Sequence, residues 1–127
     1  MIDFENFKLT RKPNQYLLAP AGLCANAEQH AVSKIWPVSA ADLLERVRSI
    51  ALATPRVTQV EEDSESQHIV FIARSKIFRF PDEIDVRAID MGDGQSALAI
   101  YARARVGIRD FGVNKKRIED WLSRLTV

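Results

Sequence analysis

The chain has 127 residues, 46% of them apolar and 28% charged, with a formal net charge of +1. These values describe one ordinary globular domain with its own core and exclude a disordered chain. A near-neutral total gives no global reason for a nucleic-acid or membrane partner, and a single cysteine, Cys24, excludes an internal disulfide. No apolar run approaches the roughly 20 residues of a membrane span. The N-terminal MIDFENFKLTRK has no apolar h-region, so a cytoplasmic protein is expected.

Residues 1–29 are poorly periodic. Pro13, Pro20 and Gly22 suggest an extended arm lying over the domain, with Phe4, Phe7, Tyr16, Leu17 and Leu18 docking it. Residues 30–127 form the α+β domain proper. A short strand is expected at about 30–36, closed by Pro37. The first helix should span 39–53. Ser39 is a good N-cap, with Asp42 three residues on. Val38 and Leu43 match a hydrophobic staple, Leu43, Leu44, Val47, Ile50 and Ala51 give the stripe, and Thr54-Pro55 ends it.

Four strands follow. Val57–Glu62 leads through a polar turn to His68–Arg74, whose unbroken Ile69-Val70-Phe71-Ile72-Ala73 predicts burial on both faces. Ile77, Phe78 and Phe80 continue the apolar content to Pro81. Glu83–Asp90 and Ser96–Val106 both alternate, joined by Met91-Gly92-Asp93-Gly94 as a turn. Parity restricts their register. Pairing Ala88 with Leu98, or shifting by two, keeps the apolar sets on one face. Asp85 and Arg87 then share the other face with Tyr101, Arg103 and Arg105. Cross-strand charge pairs are expected there, at about 0.2–1 kcal/mol each. For the last helix, Asn114 is the expected N-cap, Val113 and Ile118 the staple, and Ile118, Trp121, Leu122 and Leu125 the stripe.

The predicted fold is therefore α+β, a single compact domain in the order β-α-β-β-β-β-α. A four-to-five-stranded antiparallel sheet carries both helices on one face, with the N-terminal arm added.

Few residues carry recognisable chemistry. His30 and His68 lack metal-ligand spacing, and no cofactor or metal motif is present. Cys24 has no local base to make it a nucleophile. Gly92 and Gly94 sit in a hairpin turn, so they form no phosphate loop. The acidic cluster Glu61, Glu62, Asp63 and Glu65 lacks the pattern of a calcium loop. The unusual stretch is 103–117, RARVGIRDFGVNKKR. It places Lys115, Lys116 and Arg117 at a helix start, where positive charge is unfavourable by about 0.3–1 kcal/mol each. One explanation is an anion bound there. The other is internal: Arg117 or Arg105 pairs with Asp110, the lysines point into water, and Gly107 and Gly112 serve a tight strand-to-helix connection.

The same stretch resembles the bacterial and plastid family called domain of unknown function 1499. Members carry Arg-x-Gly and then Asp-x-Gly-x-Asn-x-x-Arg, which fall here on Arg105, Gly107, Asp110, Gly112, Asn114 and Arg117. Phe78, Phe80 and Asp82 match the family's Phe-x-Phe-x-Asp segment, followed by Val86-Arg87. Cys24 lies near its Cys-Val-Ser segment, with Asn26 in place of the serine. Tyr101-Ala102-Arg103-Ala104 stands where the family has Arg-Ser-x-Ser. The resemblance implies the fold and no settled activity.

Three functions fit these features. The first is a non-enzymatic binding module for a small anion or an acidic protein partner, using Arg87, Arg103, Arg105, Lys115, Lys116 and Arg117. The second is an enzyme with Asp110 or Asp82 as acid or base beside arginines. The third is a scaffold or oligomerisation domain using an uncovered sheet face or exposed Tyr101 and Trp36.

Overall fold

A computed structural model describes residues 1–106 and 112–127. The elements in chain order are β1 (Gln15–Ala19), β2 (Ala31–Val32), β3 (Ile35–Trp36), α1 (Ala40–Ala53), β4 (Val57–Asp63), β5 (His68–Arg74), β6 (Pro81–Gly92), β7 (Gln95–Ala104) and α2 (Val113–Ser123). The strands form one seven-stranded sheet in the order β2-β1-β7-β6-β5-β4, with β3 also pairing β7.

The α+β class and the two helices agree with the sequence reading, but the sheet is larger than expected and mixed. β1 lies inside the expected arm and pairs antiparallel with β7, from Gln15 opposite Arg103 to Leu18 opposite Ile100. β2 adds in parallel to β1. The expected strand at 30–36 is two short pieces. β1 is concealed in the sequence because it is covered on both sides: Leu18 joins the helix-side core, while Leu17 and Ala19 join the opposite cluster. A strand buried on both faces shows no alternation.

The β6–β7 register is the one that parity allows, with Ala88 opposite Leu98. The even-numbered apolar residues Ile84, Val86, Ala88, Leu98, Ile100 and Ala102 face the helices, meeting Leu43, Leu44 and Val47 of α1 and Ile118 and Trp121 of α2. β5 is buried from His68 to Ala73, as its unbroken apolar run predicts. Ser39 caps α1 by accepting the Asp42 N–H at 3.1 Å, an arrangement worth about 1 kcal/mol.

The other sheet face is covered as well. Phe4, Leu17, Ala19, Ala27, Ala99 and Tyr101 form a second buried cluster, with Phe7, Leu9 and Leu23 packed against it. Tyr101 is 2% exposed. The expectation of an exposed Tyr101 is therefore corrected, and the N-terminal residues cover this sheet face.

Candidate functional site

The two segments that carry the family resemblance meet at one end of the sheet. Asp82 opens β6 opposite Ala104 of β7. Arg117 of α2 reaches it, with Nη1 3.1 Å from Oδ2, and also donates to Asn114 Oδ1 at 2.6 Å. Asn114 Nδ2 donates to Asn14 Oδ1 at 2.8 Å and to the Asn14 carbonyl at 3.3 Å. Asn114 is fully buried, and Asn14 and Asp82 nearly so. The cluster ties α2, the β6 start and the residue preceding β1 into one polar knot. Burial pushes the Asp82 carboxyl up, against the opposing charge and hydrogen bond of Arg117.

This knot corrects the reading of Asn114 as an N-cap. Gly112 occupies the cap position with φ +68°, in the left-handed region that favours glycine, and accepts the Lys116 N–H at 2.9 Å. Asn114 lies one residue inside the helix, and its side chain is spent on tertiary contacts. Val113 becomes the first helical residue, at 43% exposure, rather than the staple before a cap. Lys115, Lys116 and Arg117 therefore follow two other helical residues instead of occupying the first three positions. Gly107 and Asp110, with any pairing of Asp110 to Arg105 or Arg117, lie outside the described residues.

A second charged group sits under the N-terminal segment. Asp85 is fully buried. It accepts from Arg103 Nη1 at 2.5 Å, from His68 Nε2 at 2.6 Å and from the Ile2 N–H at 3.0 Å. Burial would raise its carboxyl, but the His68 hydrogen bond, the charge and hydrogen bond of Arg103 and the Ile2 amide together hold it below its usual range. Arg103 also bonds Glu83 at 2.7 Å, and Arg105 reaches the other Glu83 oxygen at 3.1 Å. These are the cross-strand charge pairs expected from parity. Tyr101 lies under Arg103 with 5.0 Å between guanidinium carbon and ring centre. Its hydroxyl donates to Gln15 and accepts from the Thr10 N–H. Nothing in the local sequence marks His68 as part of a polar group; only its β5–β6 pairing opposite Arg87 brings it to this face.

The six basic residues expected to bind an anion differ in their partners. Arg87 pairs with Glu5 at 3.1 Å. Arg103, Arg105 and Arg117 are neutralised as described. Lys115 and Lys116 are exposed and have no ion-pair partner among the described residues. Burial pushes the Cys24 thiol up, away from the reactive thiolate. Among the described residues no group of His, Cys, Asp and Glu could hold a metal.

Lys115 does border a cavity of about 380 Å³ between α2 and the β1–β3 edge. Tyr16, Leu18, Trp36, Ile118, Leu122 and Leu125 give it apolar walls, and Lys34, Lys115 and Glu119 supply charge. Its size suits a small ligand.

Fold and site together define a small α+β domain with a doubly covered mixed sheet and two clusters of paired charges. The chain belongs to the family described as Protein of unknown function (DUF1499), which matches residues 8–125. No curated protein matches it. Among solved structures it is similar to the solution NMR structure of a Thermobifida fusca protein, at 12% identity and a TM-score of 0.45, covering 73% of this chain and 82% of that one. Among the described residues no helix is long and apolar enough to cross a membrane.

Proposed function

We propose that this domain is a non-enzymatic binding module for a small amphipathic anion, held in the groove between α2 and the β1–β3 edge. The observation that carries the reading is Lys115. It is a lysine without an acidic partner among the described residues, on the rim of an apolar cavity of about 380 Å³ that Lys34 also borders. Apolar walls give such a site its affinity, and a few polar groups fix the orientation of the ligand. The ammonium groups would take a carboxylate or phosphate head while Leu18, Trp36 and Leu122 cover a short apolar tail. The anion expected from sequence at the helix start keeps Lys115 and lies on the face that Lys115 shares with Ile118 and Leu122.

Titration with octanoate, octylamine and inorganic phosphate, followed by amide shifts of residues 16–19 and 113–122 and by Trp36 fluorescence, tests this. Octanoate should give saturable shifts weakened about fivefold or more by Lys115→Glu, phosphate should bind more weakly, and octylamine should not bind. No saturable response to octanoate overturns the reading.

A second reading rests on Asp82, whose carboxyl is raised by burial beside Arg117. A raised carboxyl next to a guanidinium is the arrangement an acid–base enzyme would use. Its test is a hydrolase substrate screen in which Asp82→Asn removes an activity that Lys115→Glu leaves intact.

A further inference from the structure

The connection between β5 and β6, residues 75–80, is built differently from the rest of the surface. Ile77 and Phe78 are 79% and 74% exposed, and Phe80 is 46% exposed. The Phe78 and Phe80 rings stack, with centres 5.5 Å apart and planes 17° apart. The loop is nonetheless closed and ordered by its backbone. Ser75 N–H donates to the Phe80 carbonyl at 3.0 Å, and Phe80 N–H donates to Ser75 Oγ at 2.9 Å. The apolar side chains are held out into solvent by this frame, an exposure that burial against an apolar partner would relieve.

Four cations surround this tip. Arg56, Arg74, Lys76 and Arg79 are all exposed. None of them has an ion pair among the described residues. Arg56 Nε donates to the Arg74 carbonyl at 3.2 Å, and Arg74 Nη1 donates to the Arg79 carbonyl at 3.0 Å. The guanidinium groups are thus gathered by backbone oxygens rather than by carboxylates. The nearest acids in sequence are engaged elsewhere, Asp82 with Arg117 and Glu83 with Arg103 and Arg105. The whole-molecule charge of +1 conceals this local excess.

We propose that the β5–β6 tip is a docking element for an anionic phospholipid surface, inserting Ile77, Phe78 and Phe80 among the acyl chains while Arg56, Arg74, Lys76 and Arg79 lie at the headgroups. Apolar tips flanked by basic residues bind membranes by adding buried apolar area to attraction for anionic lipids. Each basic residue near such a surface strengthens binding by a factor of about 5. A single-stranded nucleic acid fits less well. Its bases need aromatic faces open for stacking along a groove, whereas here the two rings stack on each other and the most exposed residue is the aliphatic Ile77. This inference is independent of the groove ligand, so Lys115→Glu should leave it unchanged.

The test uses the full chain and co-sedimentation with vesicles of phosphatidylcholine, with and without phosphatidylserine. Binding should require phosphatidylserine and weaken with added salt. Ile77→Ser with Phe78→Ser should lower affinity at least tenfold without changing the unfolding midpoint, because both side chains are already in solvent. Lys76→Gln with Arg79→Asn should lower it about 25-fold, two factors of about five. Phe78→Trp supplies a reporter at the tip, whose emission should shift to the blue on vesicle binding. The proposal is overturned if phosphatidylserine vesicles are not bound, if the double-serine variant binds as well as the parent, or if the emission of the Phe78→Trp variant does not shift. It is equally overturned if the double-serine change removes self-association or oligothymidylate binding and leaves vesicle binding intact.

Discussion

Arg103 and Asp85 meet across the β6–β7 ladder with Nη1 2.5 Å from Oδ1, and the second Asp85 oxygen is held by His68 at 2.6 Å. Three strands and the N-terminal backbone therefore converge on one buried carboxylate. Removing one partner of a buried pair leaves the other charge uncompensated, at about 3–5 kcal/mol. Asp85→Ala should lower the free energy of unfolding by about that amount in urea titration, whereas Arg87→Ala, which breaks a half-exposed pair with Glu5, should cost about 1 kcal/mol or less.

The two buried carboxyls should have opposite pH signatures. The folded-state pKa of Asp85 is depressed. Its stabilisation is present above the unfolded value near 3.9 and is lost as pH falls through the lower folded value. The folded-state pKa of Asp82 is raised. Its ionisation opposes folding at neutral pH, and that cost is relieved as pH falls through the raised value towards 3.9. Unfolding measured across the acid range should show Asp85→Asn flattening the loss of stability below about pH 4. Asp82→Asn should make the loss between neutrality and pH 4 steeper than in the parent chain.

What is legible in the sequence follows periodicity. The Ala88–Leu98 register, the placing of Asp85 and Arg103 on one face, and the Ser39 cap of α1 all depend on local spacing, and spacing survives folding. β1 is not legible because its two faces are both covered and its Tyr16-Leu17-Leu18-Ala19 does not alternate. The polar knot is only partly legible. An asparagine just before an apolar helical stripe reads equally as a cap or a tertiary clamp, and the choice depends on Asn14, 100 residues away. The basic residues of 103–117 look like one cluster because they are neighbours along the chain, while the fold sends Arg103 to the N-terminal side and Arg117 to Asp82.

Cap and clamp are separable for Asn114. As a cap it would be replaced by serine at little cost. As a buried clamp it would not, since serine cannot span from Asn14 to Arg117. Asn114→Ser and Asn114→Ala should therefore destabilise alike, by about 1–3 kcal/mol, in thermal or urea unfolding. A serine variant as stable as the parent would restore the cap reading.

Gly112 offers a cleaner backbone test. A Cβ built there meets nothing within 4 Å among the described residues, so within them it is the φ of +68° that resists a side chain. Gly112→Ala should cost about 1–2 kcal/mol, the left-handed penalty of an L-residue. Gly112→Asn should cost less, because asparagine visits that region more readily. Equal losses for the two would point to crowding rather than to backbone conformation.

Phe4 and Phe78 are the same residue type in opposite situations, and the contrast tests whether the N-terminal segment is part of the fold. Phe4 is 1% exposed, packs edge-on against Phe7 at 6.0 Å and lies 5.2 Å from His68, over the Asp85 group. Phe78 is 74% exposed. Burial of a phenylalanine in a core is worth about 3–5 kcal/mol on truncation. Phe4→Ala should cost that much, and it should also loosen the Ile2 N–H bond to Asp85, seen as faster hydrogen exchange at that amide. Phe78→Ala should leave both stability and exchange unchanged. If the two variants unfold at the same denaturant concentration, the N-terminal segment is an appendage and the second cluster contributes nothing to the domain.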